Sequence, residues 1–556
     1  MNQSQTHEVF NQFDELIDYN LFATDAALNK AVVAAGADWV HAALSDYGAL
    51  IGSSESFAQA DEANRHPPAL EAFDRRGRRI DHVGFHPSWH ALMRKLRGGG
   101  WVSLPFESDR AGRWVADMAG WYLHCQVESG TTCPSTMTAA SIPLLQREPA
   151  LWYALRDKLY SRDHDPRDVP IAQKRSITLG MGMTEKQGGS DVRANTTTAT
   201  PVSAGGRGAE YVIRGHKWFF SAPMCDAHLV VAQTVDGGPS CFFVPRWRDD
   251  GSKNPFQIQR LKNKLGNKSN ASSEVEFVDA TGILIGEEGR GIPTIIEMAT
   301  YTRLFCVVSS SAFVRQALVQ ALAYARQRKA FGKTLAEQPL MRAVLADLAL
   351  ESEAALALTM RLATAFERDI NTPDGDPAER VWKRVVLPAA KFWVCKRAVE
   401  LCGEAMEIFG GNGYVEDGPM ARLFREAPVN SIWEGSGNVM CLDMLRAVAR
   451  ERTATFALLD RLGESSQDDA LMKREAAALR DMLGWAPTLL EATGRLFAQR
   501  LILLVQASLL RASAPEFVAD AFIATRLDQP GAGRVTGAVD GRRIDTAALL
   551  ARAYPA

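Results

Sequence analysis

The sequence predicts an α+β protein with four segments: helical text over 1–180, an antiparallel β domain over 181–286, a helical bundle over 287–446 and more helices over 447–556. Three observations carry this reading. Short β-branched and aromatic runs gather between about 177 and 286, punctuated by Gly, Asn, Asp and Pro. Beyond them, apolar and small residues step by alternating threes and fours over several heptads. The last hundred residues hold further helix-forming text closed by a turn-rich tail.

In chain order, residues 1–175 read as helices broken by the turn clusters "NRHPP" and "DRRGRR". The stretch "GRWVADMAGWYLHCQVESG" (112–130) places apolar residues at helical spacing before a Gly stop. The β domain follows with "EYVIRGHKWFFS", "AHLVVAQTV", "SCFFVP" and "SSEVEFV", separated by "SAGGRG" and "VDGGPS". One helical seam then runs through Val308, Ser311, Arg315, Leu318, Leu322 and Ala325. A second passes through Met341, Leu345, Leu348, Ser352, Ala355, Thr359, Leu362 and Phe366, and its small residues suit close packing of long antiparallel helices. A third helix is predicted over 379–408, stopped by the glycines of "FGGNG". The final segment opens at "RLGESSQDDA" and closes at "DQPGAGRVTGAVDGRR". Its most apolar run, "LILLVQASLL" (501–510), is half the length of a bilayer span and sits between Arg500 and Arg511, so it reads as a core helix.

Composition narrows the function classes. A chain of 556 residues exceeds one ordinary core, and 46% apolar with 23% charged residues describes a globular protein with no membrane span. A formal net charge of −2 excludes a uniformly basic nucleic-acid coat and leaves only a local patch for such a partner. The eight cysteines (125, 133, 225, 241, 306, 395, 402 and 441) form no CxxC pair and read as free thiols in a reducing compartment. The polar start "MNQSQTHEVFNQFDELIDYN" has no basic-then-apolar export pattern, so a cytoplasmic location is expected.

Three segments carry chemistry. In "GMGMTEKQGGSDVRANTT" (180–197) glycines bring backbone N–H groups close to an acceptor, and Thr184 and Ser190 add hydroxyls. The segment suits the polar edge of a ring cofactor or a phosphate, or is an ordinary Gly-rich turn; it matches neither GxGxxG nor the GK[ST] phosphate loop. "GHKWFFSAP" (215–223) alternates like a strand, so its aromatics serve either the core or a flat ligand. In "NSIWEGSGN" (430–438) one acid, Glu434, stands beside Trp433 with small residues after it. An acid against an indole is poorly solvated and tends toward a higher pKa, which makes it a proton acceptor near neutrality.

The ordered motifs TEKQGGSD, GHKWFFS, RKAFG with Gln338, FGGNGY and IWEGSGN resemble those of the acyl-CoA dehydrogenase flavoproteins. The spellings "MTEKQGGSDV" and "NSIWEGSGN", the "THEVFNQ" start and the extra C-terminal segment are most similar to the AidB branch, tied to the adaptive response to DNA alkylation. The resemblance implies an acyl-CoA dehydrogenase-like fold: an N-terminal α domain, a middle β domain and a four-helix bundle holding FAD, here with an additional helical domain. By position it assigns Glu434 as the catalytic base. Met183, Thr184, Ser190, Phe219, Phe220, Ser221, Trp433, Ser436 and Asn438 would surround the flavin, with the Ser221 hydroxyl near N5. Arg328, Phe331, Gln338, Gly410 and Gly411 would reach the FAD of a neighbouring subunit, implying a homotetramer. Thr302 and Arg303 match a segment near the acyl-CoA site.

The sequence departs from the family's usual text in three places. Lys186-Gln187-Gly188-Gly189 replaces Pro-Gly-Ala-Gly, WEGS replaces YEGT, and Phe219 replaces Trp. These changes alter the rim of the acyl site. The implied substrates are short or branched acyl-CoA thioesters, of the isovaleryl type. The branch also implies double-stranded DNA as a partner of 447–556, and detoxification of alkylating agents near DNA. From 446 to 556 there are 15 Lys and Arg against 13 Asp and Glu, and Lys473, Arg474, Arg480, Arg495, Arg500 and Arg511 are the candidate phosphate contacts. The alternative is a metabolic short-chain acyl-CoA dehydrogenase or oxidase that binds no DNA. His82, His86 and His90 recur every four residues, but Gly84 and Pro87 break any helix that would align them, and no metal is expected.

Overall fold

The computed structural model describes residues 6–235, 237–372, 375–464, 469–528 and 544–554. Residues 465–468 of the "RLGESSQDDA" link and nearly all of the "DQPGAGRVTGAVDGRR" tail lie outside the described residues. Contacts divide the chain into two compact units, Glu55–Cys306 with Trp433–Gly435, and Met1–Ser54 with Val307–Ile432 and Ser436–Ala556. This grouping differs from the four sequence segments. The first fifty-odd residues belong with the bundle, and a tripeptide of the bundle text belongs with the β domain.

The β-containing unit starts with a feature the sequence reading missed. Within text read as helical, β1 (Ala69–Phe73) and β2 (Arg79–Gly84) form an antiparallel hairpin. "DRRGRR" is its turn: the Asp74 carboxylate accepts from Arg76 N at 2.8 Å and Arg78 N at 3.0 Å, and Gly77 takes φ +76°. The Arg113–Cys125 helix that follows is buried on every side, as its dense apolar spacing anticipates.

Seven strands build the central sheet: β3 (Leu179–Gly182), β4 (Thr198–Pro201), β5 (Glu210–Ser221), β6 (Ala227–Thr234), β7 (Gly238–Pro245), β8 (Phe256–Leu261) and β9 (Ser272–Ile285). Their order is β3-β5-β4-β6-β7-β9-β8, with β5 also paired along β9. The sheet is mixed, which corrects the purely antiparallel expectation. Both β3 and β4 run parallel to β6 and antiparallel to β5, β3 covering one end of β5 (Met181↔Ser221) and β4 the other (Thr198↔Arg214). They are two halves of one strand position, and residues 183–197 leave the sheet between them. The core beneath is aromatic and aliphatic, with Phe220, Phe242, Phe256, Phe277, Ile213 and Val230 buried.

In the second unit the predicted seams are buried in the helices Gly291–Gln327 and Pro339–Asn371, where Leu318, Leu322, Leu345 and Leu348 join Leu401, Met420 and Leu423 in one cluster. The predicted third helix has three parts: a turn at Pro377–Val381, a π-turn at Trp382–Val386 and the helix Leu387–Ile408. The π-turn precedes Pro388, which cannot donate to the preceding turn. Gly410 at φ +61° supplies the predicted stop. The C-terminal helices, among them Ala470–Met482, Gly494–Ser513 and Glu516–Arg526, carry a buried anchor. Arg526, 5% exposed, holds Asp347 at 2.5 Å and Glu351 at 2.9 Å. Burial acts to raise the Glu351 carboxyl, but Arg397 and Arg526 outweigh it and hold it at about 2. More than half of the apolar window of Gly494–Ser513 is buried, as expected for "LILLVQASLL".

Four histidines of the β-containing unit are kept neutral by burial: His90 and His124 are pushed down to about 4, His164 and His228 to about 3. An unfolded chain takes up these protons at about pH 6.5. Each folded-state value lies below the unfolded one, so the stability these rings contribute is present above pH 6.5 and is lost as the pH falls toward 4. Thermal melting followed in a pH series therefore shows Tm falling steadily between about pH 6.5 and 4; a Tm flat across that window contradicts the assignment.

Candidate active site

The excursion 183–197 is organised around one carboxylate. Glu185 is 0% exposed and accepts from five donors: Lys217 Nζ at 2.8 Å, Thr196 N at 2.7 Å, Thr196 Oγ1 at 3.1 Å, Thr197 N at 3.1 Å and Gln187 Nε2 at 2.8 Å. Lys217 comes from β5 and is 1% exposed. Burial works against the Glu185 charge, yet Lys217 and these donors hold the carboxyl down at about 2. The pair pins the Gly-rich loop to β5. Trp218 N donates to Thr184 O at 2.8 Å, Asn195 Nδ2 to Met183 O at 2.9 Å, and Gly188 at φ +145° closes the tip. Sequence reasoning missed Glu185 and Lys217. The available signal was an acid inside a glycine loop and one lysine at an inward position of a strand.

β5 is bulged where it meets this loop: Lys217 pairs with Val275 and Phe220 with Ser273, one residue more on β5 than on β9. The extra residue turns both Trp218 and Phe219 outward, and Lys262 Nζ lies 3.4 Å and 4.7 Å from their ring centroids. Phe219 is 52% exposed, whereas Phe220 is fully buried and stacks on His228 at 4.2 Å. The expectation that the Phe220 side chain lines the flavin is thus corrected: its ring is a core residue, and Phe219 and Ser221 are left to face a ligand. Met183 and Thr184 are half-buried and Ser190 is exposed.

The glutamate loop reaches the same unit. Glu434 is half-buried at φ +59°, followed by Gly435 at φ +107°. A left-handed non-glycine residue costs about 1–3 kcal/mol and persists where its surroundings over-determine it. Two consecutive residues of the Gly291–Gln327 helix do so. Thr302 Oγ1 donates to Glu434 Oε2 at 2.7 Å, and Arg303 Nε to Glu434 O at 3.1 Å. The Thr302 hydroxyl also lies 3.1 Å from Ala299 O, so it can turn away once the carboxyl is protonated. Cys133 lies within the reach of both Glu434 and Ser221; burial pushes its thiol up to about 11.

The residues fit a flavin on an observation independent of sequence. Asn270 is 2% exposed, and among the described residues neither amide atom meets an oxygen or nitrogen partner, the Cys133 thiol being the group within its reach. It precedes Ala271, whose carbonyl accepts from Ala222 N at 2.9 Å, and adjoins the Ser221–Ser272 strand pair. A buried carboxamide left without an oxygen or nitrogen partner beside the Ser221 hydroxyl is a place for the polar edge of a bound ring. Asn270 carried no sequence signal of its own.

The other predicted residues lie in the second unit. Arg328 bonds Asn11 O, Gln338 Nε2 donates to Ala330 O at 3.0 Å, and Phe331 is 99% exposed at φ +52°. Gly410 and Gly411 stay near the surface, and Ser436 caps the Gly437–Arg450 helix. Asn438 is engaged by Arg495 Nε at 2.8 Å, and Arg495 also lies over Phe392. The remaining candidate phosphate contacts are largely occupied within the chain. Arg480 pairs with Asp460, Arg500 with Glu475, and Arg511 with Asp520 and Asp469, while Arg474 donates to Leu527 O at 2.8 Å.

Comparison with known proteins meets this geometry from outside. The chain matches the AidB N-terminal domain over residues 11–166, the acyl-CoA dehydrogenase middle domain over 180–280 and the acyl-CoA dehydrogenase C-terminal domain over 289–449. It is 45% identical to AidB of Escherichia coli strain K12 over 96% of each chain, and 30% identical to acyl-CoA dehydrogenase family member 11 of Caenorhabditis elegans over 80% of this chain and 73% of that one. A crystal structure of the C. elegans ACDH-11 protein with C11-CoA superposes with a TM-score of 0.85 at 26% identity, covering 95% of each chain. The chain belongs to the acyl-CoA dehydrogenase family, in its AidB branch, and is an FAD-dependent oxidoreductase of that type.

Two predictions follow from the site. Glu185→Gln leaves the Lys217 charge buried without a partner and destabilises the fold by about 3–5 kcal/mol in denaturant titrations; adding Lys217→Met restores most of the loss, and an E185Q protein of unchanged stability contradicts the pairing. Thr302→Val removes a donor that favours the charged carboxylate, so the base's pKa rises and the acid limb of the pH–rate profile moves to higher pH; a limb that stays put or moves down refutes the contact.

Proposed function

We propose that this chain dehydrogenates a short or branched acyl-CoA thioester between Cα and Cβ, with Glu434 as the base. The observation that carries the reading is the Glu434 carboxylate held by Thr302 at 2.7 Å, with Ser221 and the buried Asn270 gathered around the same Cys133 thiol that feels Glu434. FAD, when bound, supplies the hydride acceptor. Glu434 takes the Cα proton and Arg303 fixes the backbone behind it, while Thr302 holds one carboxylate oxygen so that the other faces the substrate. An enoyl thioester is the product.

Acyl-CoA as the substrate class is supported by the relatives' names and by the C11-CoA complex of ACDH-11. A short or branched chain is supported by the wall beside Thr302. Next to Thr302, Tyr301 stacks with Trp114 at 5.8 Å and Phe305 packs on Trp121 at 4.5 Å, which makes that side of the helix a rigid aromatic wall. Homotetramer assembly is supported by bare apolar side chains near the FAD-linked motifs: Phe331, Leu340 and Tyr414 are 99%, 85% and 79% exposed. A cytoplasmic location is supported by the cysteines, all eight of which are free thiols.

Duplex DNA as a partner, and with it a role near alkylated DNA, rests on the family branch. On this geometry a phosphate would have to displace Asp460, Glu475 or the Asp469–Asp520 pair from three of the six arginine and lysine candidates. The catalytic reading is therefore the better supported of the two.

Anaerobic titration of the FAD-loaded protein with isovaleryl-CoA bleaches the flavin, and Glu434→Gln abolishes the bleaching while retaining the colour; full bleaching in the variant overturns the role of Glu434. For DNA, the slope of log K against log salt is about −1 or shallower with a duplex, because few of these side chains are available to replace counterions. A slope near −5 that Arg480→Ala, Arg500→Ala and Arg511→Ala reduce would instead make these side chains the contacts.

A further inference from the structure

The regularly spaced histidines of "HVGFHPSWH" part company in the fold. His82 lies on β2, and His90 turns inward, its Nδ1 2.9 Å from His164 Nε2. His86 meets two residues no spacing rule would join to it. Glu62 and His66 stand one turn apart at the end of the Ser54–Arg65 helix, and His86 caps the Pro87–Gly98 helix beyond the hairpin. One ligand atom from each of Glu62, His66 and His86 lies within 4.8 Å of the other two.

We propose that Glu62, His66 and His86 form a site for a borderline divalent cation, zinc above all. Two imidazoles and one carboxylate are the donor set zinc takes where three protein ligands leave a position for water. Hard cations such as magnesium and calcium prefer all-oxygen sites and are excluded by the two nitrogens. Two of the ligands already touch. His66 Nδ1 lies 3.2 Å from Glu62 Oε2 and 3.0 Å from Glu62 O, so carboxylate and imidazole meet before a cation arrives.

Two adjustments accompany binding, and both are small. The rings of His66 and His86 are stacked, 17° apart with centroids at 4.9 Å, whereas a metal lies in the plane of each ring it ligates. Rotation of the solvent-exposed His66 ring about χ2 gives up its Nδ1 contact with Glu62 O, and the three donors, already within 4.8 Å of one another, settle at the spacing of about 3.3 Å that zinc bonds of about 2.0 Å impose. His86 Nδ1 accepts from Ser88 N at 3.3 Å, a long bond. Ligation through Nε2 shifts that ring's proton to Nδ1 and gives up the cap. The cation is thus gathered at the junction of two helices and the hairpin between them, away from the residues assigned to catalysis.

The test is zinc titration of the tag-free, full-length protein by isothermal calorimetry. The expected result is about one zinc per chain near pH 7.5. His66→Ala and His86→Ala each weaken binding at least about tenfold, and His82→Ala leaves it unchanged. An anomalous peak at the zinc edge between the three side chains gives the same answer without reference to activity. Absence of zinc binding, or binding that survives both His66→Ala and His86→Ala, overturns the proposal, the second outcome showing adventitious sites only.

Discussion

The buried pair of Glu185 and Lys217 is the interaction on which the active-site half of the molecule depends. Its 2.8 Å contact joins the loop that leaves the sheet to the strand that carries the flavin-facing residues. A carboxylate and an ammonium, both nearly without solvent, are tolerated only because the remaining lone pairs of Glu185 are met by Thr196, Thr197 and Gln187. The consequence is geometric. With the loop rooted at Lys217, the neighbouring bulge turns Trp218 and Phe219 outward while Phe220 stays in the core.

A second restraint acts on the glutamate loop from a helix. Thr302 and Arg303 are adjacent, so one stretch of backbone delivers a donor to the carboxylate and another to the carbonyl of Glu434. That double hold accounts for a left-handed backbone at a residue other than glycine. The arrangement divides the labour: the loop supplies the carboxylate proposed as base and the helix fixes its direction. The helix is long, buried and continuous, which makes it a rigid reference for a strained turn.

Much of this was legible in the sequence because it rests on periodicity. The seams through Leu318, Leu322, Leu345 and Leu348 are core positions, and the period-two text of residues 210–221 is a strand. The ordered motifs identified the family and singled out Glu434 as the candidate base. What escaped reading was non-local. The hairpin at 69–84 is too short for its alternation to stand out, and the parallel pairings of β3 and β4 depend on a strand interrupted by fifteen residues. Glu185, Asn270 and Cys133 acquire meaning only from neighbours far along the chain. The basic residues of 447–556 show the reverse: their letters suggest a phosphate-binding face, yet Asp460, Glu475, Asp469 and Asp520 already hold three of them.

The central claim is that the ion pair beneath the loop, besides its share in stability, maintains the flavin cradle. The direct measurement is the flavin content of purified Lys217→Met, read from its visible absorbance alongside far-ultraviolet circular dichroism. The account predicts a folded protein of normal helical content that has lost most of its FAD. A Lys217→Met protein that keeps a full complement of FAD at wild-type affinity contradicts it.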